Sequence, residues 1–233
     1  MPTPSNFSML GVGMGNMITY GYTDGWNPLK FRWEKGRQLA EYTAPDVDRN
    51  VKFKYDHNGL RTQKTITNTY TSSSTVYDFT YVGNLLVRQT DNLNRTLDFA
   101  YDASGTMIGV KYNGVNYYYM RNLQGDVIGI YDSDGDIVCR YSYSAWGLSN
   151  DPKDANGNTI PSYSHPNHIA NLNPIRYRGY YYDAEAIMYY CQSRYYSPQF
   201  YRFLNADALF IAGDALLGSN MYVYCLNNPV KYL

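Results

Sequence analysis

The sequence predicts an all-β protein built from tandem hairpins. Three observations carry that prediction. Tyrosine is heavily used, with 28 residues in a chain of 233 against 8 Phe and 3 Trp; its ring suits a pleated, half-buried surface while its hydroxyl reaches a polar partner. A short element recurs, in which an aromatic strand ends in Tyr-Asp and is followed by two spacer residues and Gly. The runs after each copy alternate apolar and polar residues with the period of a strand.

The repeated element reads Phe53-Lys-Tyr55-Asp56-His-Asn-Gly59, then Phe99-Ala-Tyr101-Asp102-Ala-Ser-Gly105, then Ile130-Tyr131-Asp132-Ser-Asp-Gly135, with a degenerate copy at Met120-Arg121-Asn122-Leu-Gln-Gly125. Each is a β-turn by its chemistry. Asp or Asn at the first position can accept from the backbone two residues on, and Gly supplies a positive φ at the fourth. The alternating runs at 107–112, 127–131 and 137–143 predict the strands that follow. Earlier strands are predicted at 16–20 and 29–33, with turns at 25–28 and 34–36. An array of hairpins fits this spacing better than a doubly wound α/β sheet, which requires helices between strands.

Between residues 146 and 174 the pattern breaks into Asp-Pro, Asn-Gly and His-Pro loop chemistry. The division this suggests is a repeat segment over 1–147, a loop over 148–172 and a different block over 173–233. Two short helices are predicted, one over 207–217 and a second, less well supported by pattern, over 168–172.

Bulk properties bound the function. Lys plus Arg equals Asp plus Glu, 20 against 20, which gives no support to a nucleic-acid or membrane-surface partner. No apolar run is long enough to span a bilayer, and the N-terminus lacks a basic region followed by an apolar stretch. Cys139, Cys191 and Cys225 lie far apart and are expected to be reduced packing residues. Asp132-Ser-Asp134-Gly135-Asp136 places its Gly two positions too early for a calcium loop. Gly11-Val-Gly13-Met-Gly15 has no strand–helix context for a phosphate cradle. His165 and His168 lack a third ligand, and His57 stands apart, so no metal or cofactor is expected.

The block from Asn173 resembles the Rhs repeat-associated core region. The matching pieces are Asn173-Pro-Ile-Arg-Tyr-Arg-Gly-Tyr-Tyr-Tyr-Asp183, Tyr189-Tyr-Cys-Gln-Ser-Arg-Tyr-Tyr196, Arg202-Phe-Leu-Asn-Ala-Asp207 and Tyr222-Val-Tyr-Cys-Leu-Asn-Asn-Pro229, in the family's order and spacing. The repeats upstream resemble its YD repeats. The resemblance implies a curved, spiralling sheet that forms part of a hollow shell, with the core region curling inward to close one end. It further implies upstream repeats as partners, an encapsulated C-terminal toxin, and a secreted or cell-surface location. In several members the core region is an aspartyl autoprotease that cuts just after itself, near an Asp-Pro-x-Gly motif. Arg194 and Asp207 match the positions of its proposed Arg and Asp. Alternatively, Asp207 caps the predicted helix after it and Arg194 pairs structurally with Asp183 or Glu185.

The sequence departs from the family in three places. It stops at Leu233, about where the cleavage motif begins, which reads as a truncated or orphan copy without its own toxin. The family's Glu-Thr-Gly-Leu is Glu185-Ala186-Ile187-Met188, and its Asp-Pro-Glu-x-Gly-Arg is Ser197-Pro198-Gln199-Phe200-Tyr201-Arg202; each loses a turn Gly. The leading expectation is a structural shell segment with open strand edges that favour self-association. The alternatives are a self-cleaving aspartyl protease using Arg194 and Asp207, and a cell-surface carbohydrate- or protein-binding module.

Overall fold

A computed structural model describes residues 7–11, 15–22, 28–207 and 220–232. Thirteen strands form one antiparallel sheet in strict chain order. They are β1 (Phe7–Gly11), β2 (Met17–Tyr22), β3 (Leu29–Glu34), β4 (Gln38–Ala44), β5 (Arg49–Tyr55), β6 (Arg61–Asn68), β7 (Ser74–Val82), β8 (Leu85–Asp91), β9 (Thr96–Tyr101), β10 (Met107–Tyr112), β11 (Val115–Arg121), β12 (Val127–Tyr131) and β13 (Ile137–Arg140). A second sheet of four short strands follows: β14 (Tyr181–Asp183), β15 (Met188–Tyr190), β16 (Tyr195–Ser197) and β17 (Arg202–Phe203). Between the sheets lies the single-turn helix α1 (Ile169–Leu172), capped by His168, whose Nδ1 accepts from the Ala170 amide. The fold class expected from the sequence is the one observed. Gly13 of the glycine-rich stretch, most of the turn expected at 25–28 and all but the first residue of the helix expected over 207–217 lie outside the described residues.

The Tyr-Asp turns form as their chemistry dictates. At Asp56, Asp102, Asn122 and Asp132 the side-chain Oδ1 accepts from the amides two and four residues on, at 2.9–3.0 Å. The same arrangement appears at two places where the element was not expected. At Asp91 the left-handed residue is Asn94, φ 61°, in place of Gly. At Asp154, inside the segment read as loop, Asn156 and Asn158 donate to Oδ1, and isolated bridges join Lys153 to Arg140 and to Thr159.

Strict alternation within the strands is not what forms. Each even strand from β2 to β12 carries one extra residue near its start: Ile18, Ala40, Thr62, Val87, Ile108 and Ile128. Such bulges break the ladder locally and increase the twist. The next odd-numbered segment repairs the break. The side chains of Trp33, Tyr55, Tyr81, Tyr101, Arg121 and Tyr143 donate to the carbonyls of Met17, Leu39, Arg61, Leu86, Met107 and Val127, each the residue immediately before the bulge, at 2.6–3.1 Å. This explains why the repeat uses Tyr. The ring packs on the inner face, and the hydroxyl satisfies a carbonyl that the bulge has displaced from regular pairing.

One face of the large sheet is apolar and the other is polar. Inner-face rows include Phe79–Gln89–Leu97–Tyr112, Phe99–Val110–Tyr117 and Tyr119–Ile130–Cys139. The outer face carries cross-strand pairs such as Arg32–Glu41 at 3.0 Å and Arg88–Asp98 at 2.5 Å; exposed pairs of this kind add little stability. The chain from α1 onward runs back over the inner face in reverse strand order. Tyr141 donates to Ala170 O, Tyr119 to Asn173, Tyr181 to Gln89 on β8, Tyr55 and Tyr195 share a bond at β5, and Met17 on β2 donates to Leu204 O. Residues from both sheets thus share one core.

Beside it lies a second cluster of Tyr177, Tyr189, Tyr196, Phe203 and Tyr224. Its tyrosines tie inward, Tyr189 to Gly147 O at 2.7 Å and Tyr196 to Trp146 O at 2.7 Å. Gly147, at φ +84°, lies so close to the Tyr177 ring that a Cβ there would sit 2.6 Å from Cδ1.

Candidate functional site

The structure brings Arg194 and Asp207 together. Arg194 lies in the loop between β15 and β16, and Asp207 follows β17. Nη1 stands 2.8 Å from Oδ2, and the side chains are 25% and 35% exposed. The Arg194 guanidinium also lies over the Phe203 ring, 3.6 Å from its centre, a cation–π contact that fixes its plane. The alternative partners proposed for Arg194 are corrected: Asp183 and Glu185 bind other cations, described below.

Asn205 positions this pair, and the sequence reading passed it over. It is fully buried. Its Oδ1 accepts from the Tyr195 amide at 2.9 Å, and its Nδ2 donates to Ser193 O at 3.1 Å. The residues on both sides of Arg194 are thereby tied to the segment that carries Asp207. The Asp207 amide donates to Met221 O, which anchors the other side. The result is a carboxylate beside a guanidinium at the edge of solvent, an arrangement that can orient water or accept a proton from a bound group.

The second constellation is buried between the sheets. Asp183, at the end of β14, receives Arg61 Nη1 at 2.5 Å on Oδ2 and Lys64 Nζ at 2.8 Å on Oδ1. Glu185 lies 2.8 Å from Lys64. Two cations of β6 thus meet two carboxylates of the C-terminal block. Arg61 is boxed by the rings of Phe53, Phe79, Tyr181 and Tyr190, whose centres lie 4.4–5.3 Å from Cζ. Sequence offered one signal for this cluster. Arg61 stands five residues after Asp56, where the other copies place Met107, Val127 and Ile137, so a cation occupies an inward slot.

Burial alone would push the Asp183 carboxyl up; the charges of Arg61 and Lys64 overcome it and hold it below the usual range. Burial would likewise lower the Lys64 ammonium, and Asp183 and Glu185 outweigh that and raise it. The sign for stability follows. A carboxyl depressed in the folded state stabilises at pH values above its unfolded value of about 3.9 and loses that contribution as pH falls through the folded value. Urea unfolding at pH 7, 4, 3 and 2 is expected to show midpoints falling below pH 4. The part of the fall due to this carboxyl will be missing from Asp183→Asn.

A meander of stapled hairpins, covered on its inner face by an aromatic return block, defines a repeat-built β wall with a core-region block. Comparison with known proteins agrees. The tRNA3(Ser)-specific nuclease WapA of Bacillus spizizenii is 33% identical over 204 residues, 86% of this chain and 8% of that protein. The tRNA nuclease WapA of Bacillus subtilis is 34% identical over 201 residues, again 86% and 8%. Among solved structures, the crystal structure of TcdB2-TccC3-Cdc42 superposes with a TM-score of 0.61 at 20% identity, over 98% of this chain and 10% of that one. No family model matches the chain. The chain is an Rhs/YD-repeat-like core domain, related in sequence to WapA proteins and similar in fold to the TcdB2-TccC3 chain. It spans less than a tenth of the length of these curated relatives.

Proposed function

We propose that this chain is a wall segment and inner closing block of a secreted toxin-delivery shell, joined to further repeats at β1 and enclosing a C-terminal toxin. The return of residues 169–206 across the inner face, from β13 back to β2, carries this reading. A block tied to the wall along that length covers the inner face of the sheet. Among the described residues β1 pairs on one side only, with β2, and an open edge of that kind favours pairing with a preceding strand. The test is limited proteolysis of the chain joined to upstream repeats and a downstream folded cargo. Protection of the cargo relative to the same cargo free in solution is expected. Digestion at the free rate would sink the reading.

The Arg194–Asp207 pair favours a second activity within the same frame, cleavage of the polypeptide just downstream. Intact-mass measurement on the chain extended by an Asp-Pro-x-Gly segment tests it. A single cut that Asp207→Asn abolishes is expected. An intact chain, or a cut that survives Asp207→Asn, rules the activity out.

A further inference from the structure

We propose that the cleft between the rim of the large sheet and the C-terminal block binds an organic anion, a carboxylate or phosphate on an apolar body, with Arg121 as its anchor. The inference does not rest on the shell reading. The cleft has a volume of about 430 Å³, within the range of small-molecule sites. Tyr81, Tyr101 and Tyr180 supply aromatic wall, and Leu86 and Met107 supply aliphatic wall. Arg121 and Arg178 both line it, and among the described residues no Asp or Glu does.

Arg121 is the informative residue because it departs from the repeat. Tyr81 and Tyr101 hold the carbonyls before their bulges with neutral hydroxyls, as do Tyr55 and Tyr143. At the same place in its unit Arg121 holds Met107 O through Nη2 at 2.7 Å. Neutral donors, four Tyr hydroxyls and the Trp33 indole, do that work elsewhere, so the positive charge is surplus to it. Nη1 of the guanidinium also donates to a carbonyl, Gly125 O at 3.3 Å, and its buried Nε has no hydrogen-bond partner among the described residues. Among the described residues Arg121 forms no ion pair, the Asp102 carboxylate acting on it only from a distance, whereas Arg178 faces Asp126 at 4.0 Å. Gly179, at φ +70°, passes the guanidinium closely; a Cβ there would lie 3.1 Å from Nη1. A half-buried cation with no described carboxylate in contact, in an aromatic cleft whose described lining holds no acid, is complementary to an anion with an apolar body.

The test is saturation-transfer NMR and calorimetry on the whole chain with phenylacetate, phenyl phosphate, and the peptide acetyl-Phe-Asp, against their uncharged partners phenylacetamide and acetyl-Phe-Asn-amide. Arg121→Tyr restores the donor used by the other units and removes the charge; Thr106→Glu adds a like charge at the exposed mouth. The anions are expected to bind at least about tenfold more tightly than the amides, ~1.4 kcal/mol. Both variants, folded by circular dichroism, are expected to lose that preference. Tighter binding of phenylacetate than of the peptide supports a free small molecule as the natural source, and the reverse supports a side chain of a polypeptide. Equal binding of acid and amide, no anion binding by the folded protein, or an unchanged preference in both variants would overturn the proposal.

Discussion

Replacing Asp183 with Ala is expected to lower the unfolding free energy by about 3–5 kcal/mol, among the largest single-residue effects in the molecule. Asp183 is fully buried, and its two oxygens each receive a cation. Its removal leaves Arg61 and Lys64 buried with one carboxylate between them. Urea midpoints measure the loss, and thermal unfolding should show a drop on the order of 10 °C. A combined Arg61→Met, Lys64→Leu, Asp183→Leu and Glu185→Gln replacement removes the charges together. It is expected to be far milder than Asp183→Ala alone, because a buried ion cluster stabilises little relative to an apolar one of similar volume. A combined variant as unstable as the single one would show that the cluster contributes net stability rather than register.

The second large effect is expected at Tyr189, which is fully buried at the centre of the aromatic cluster. Its ring stands 4.9 Å from Tyr182, 5.9 Å from Tyr177 and 6.3 Å from Tyr196. Tyr189→Ala empties that space and is expected to cost about 3–5 kcal/mol. Tyr189→Phe keeps the ring and leaves Gly147 O without its donor, a cost of about 1–3 kcal/mol. Denaturant titration of the pair separates packing from hydrogen bonding. Equal losses would mean that the hydroxyl, not the ring, holds the return block in place.

The turns were legible in the sequence because they depend on local chemistry. Asp at the first position and Gly at the fourth fix the backbone whatever packs around them. The substitutions Ile187 and Tyr201 were legible for the same reason. Each stands where the family has Gly, and each adopts a positive φ, 51° and 57°, which an L side chain takes at a cost of about 1 kcal/mol or more. Asn94 was missed because Asn also tolerates that conformation, so the Asp91 turn carries no Gly to mark it.

The bulges were not legible. Ile108 and Ile128 are themselves apolar, so the runs around them still read as plain strands. The inner-face cluster was hidden by the same device. Arg61 and Lys64 are three residues apart and would point to opposite faces of a regular strand. The extra residue Thr62 turns both inward, while Gln63 stays outside with Asp78. The Arg194–Asp207 pair was named from resemblance alone. Asn205, which ties its two segments together, carries no signal that sequence spacing could expose.

The bulge carbonyl and its donor recur at every second strand, with donors 14 to 20 residues downstream of their carbonyls. Each seam's own fastener is therefore drawn from two adjoining hairpins, and the return block ties onto several of these seams from the inside. A hairpin of slightly different length can be inserted without disturbing seams elsewhere, and damage to one fastener loosens one joint. Length then becomes a variable that evolution can adjust by copying hairpins, while the local joinery stays constant.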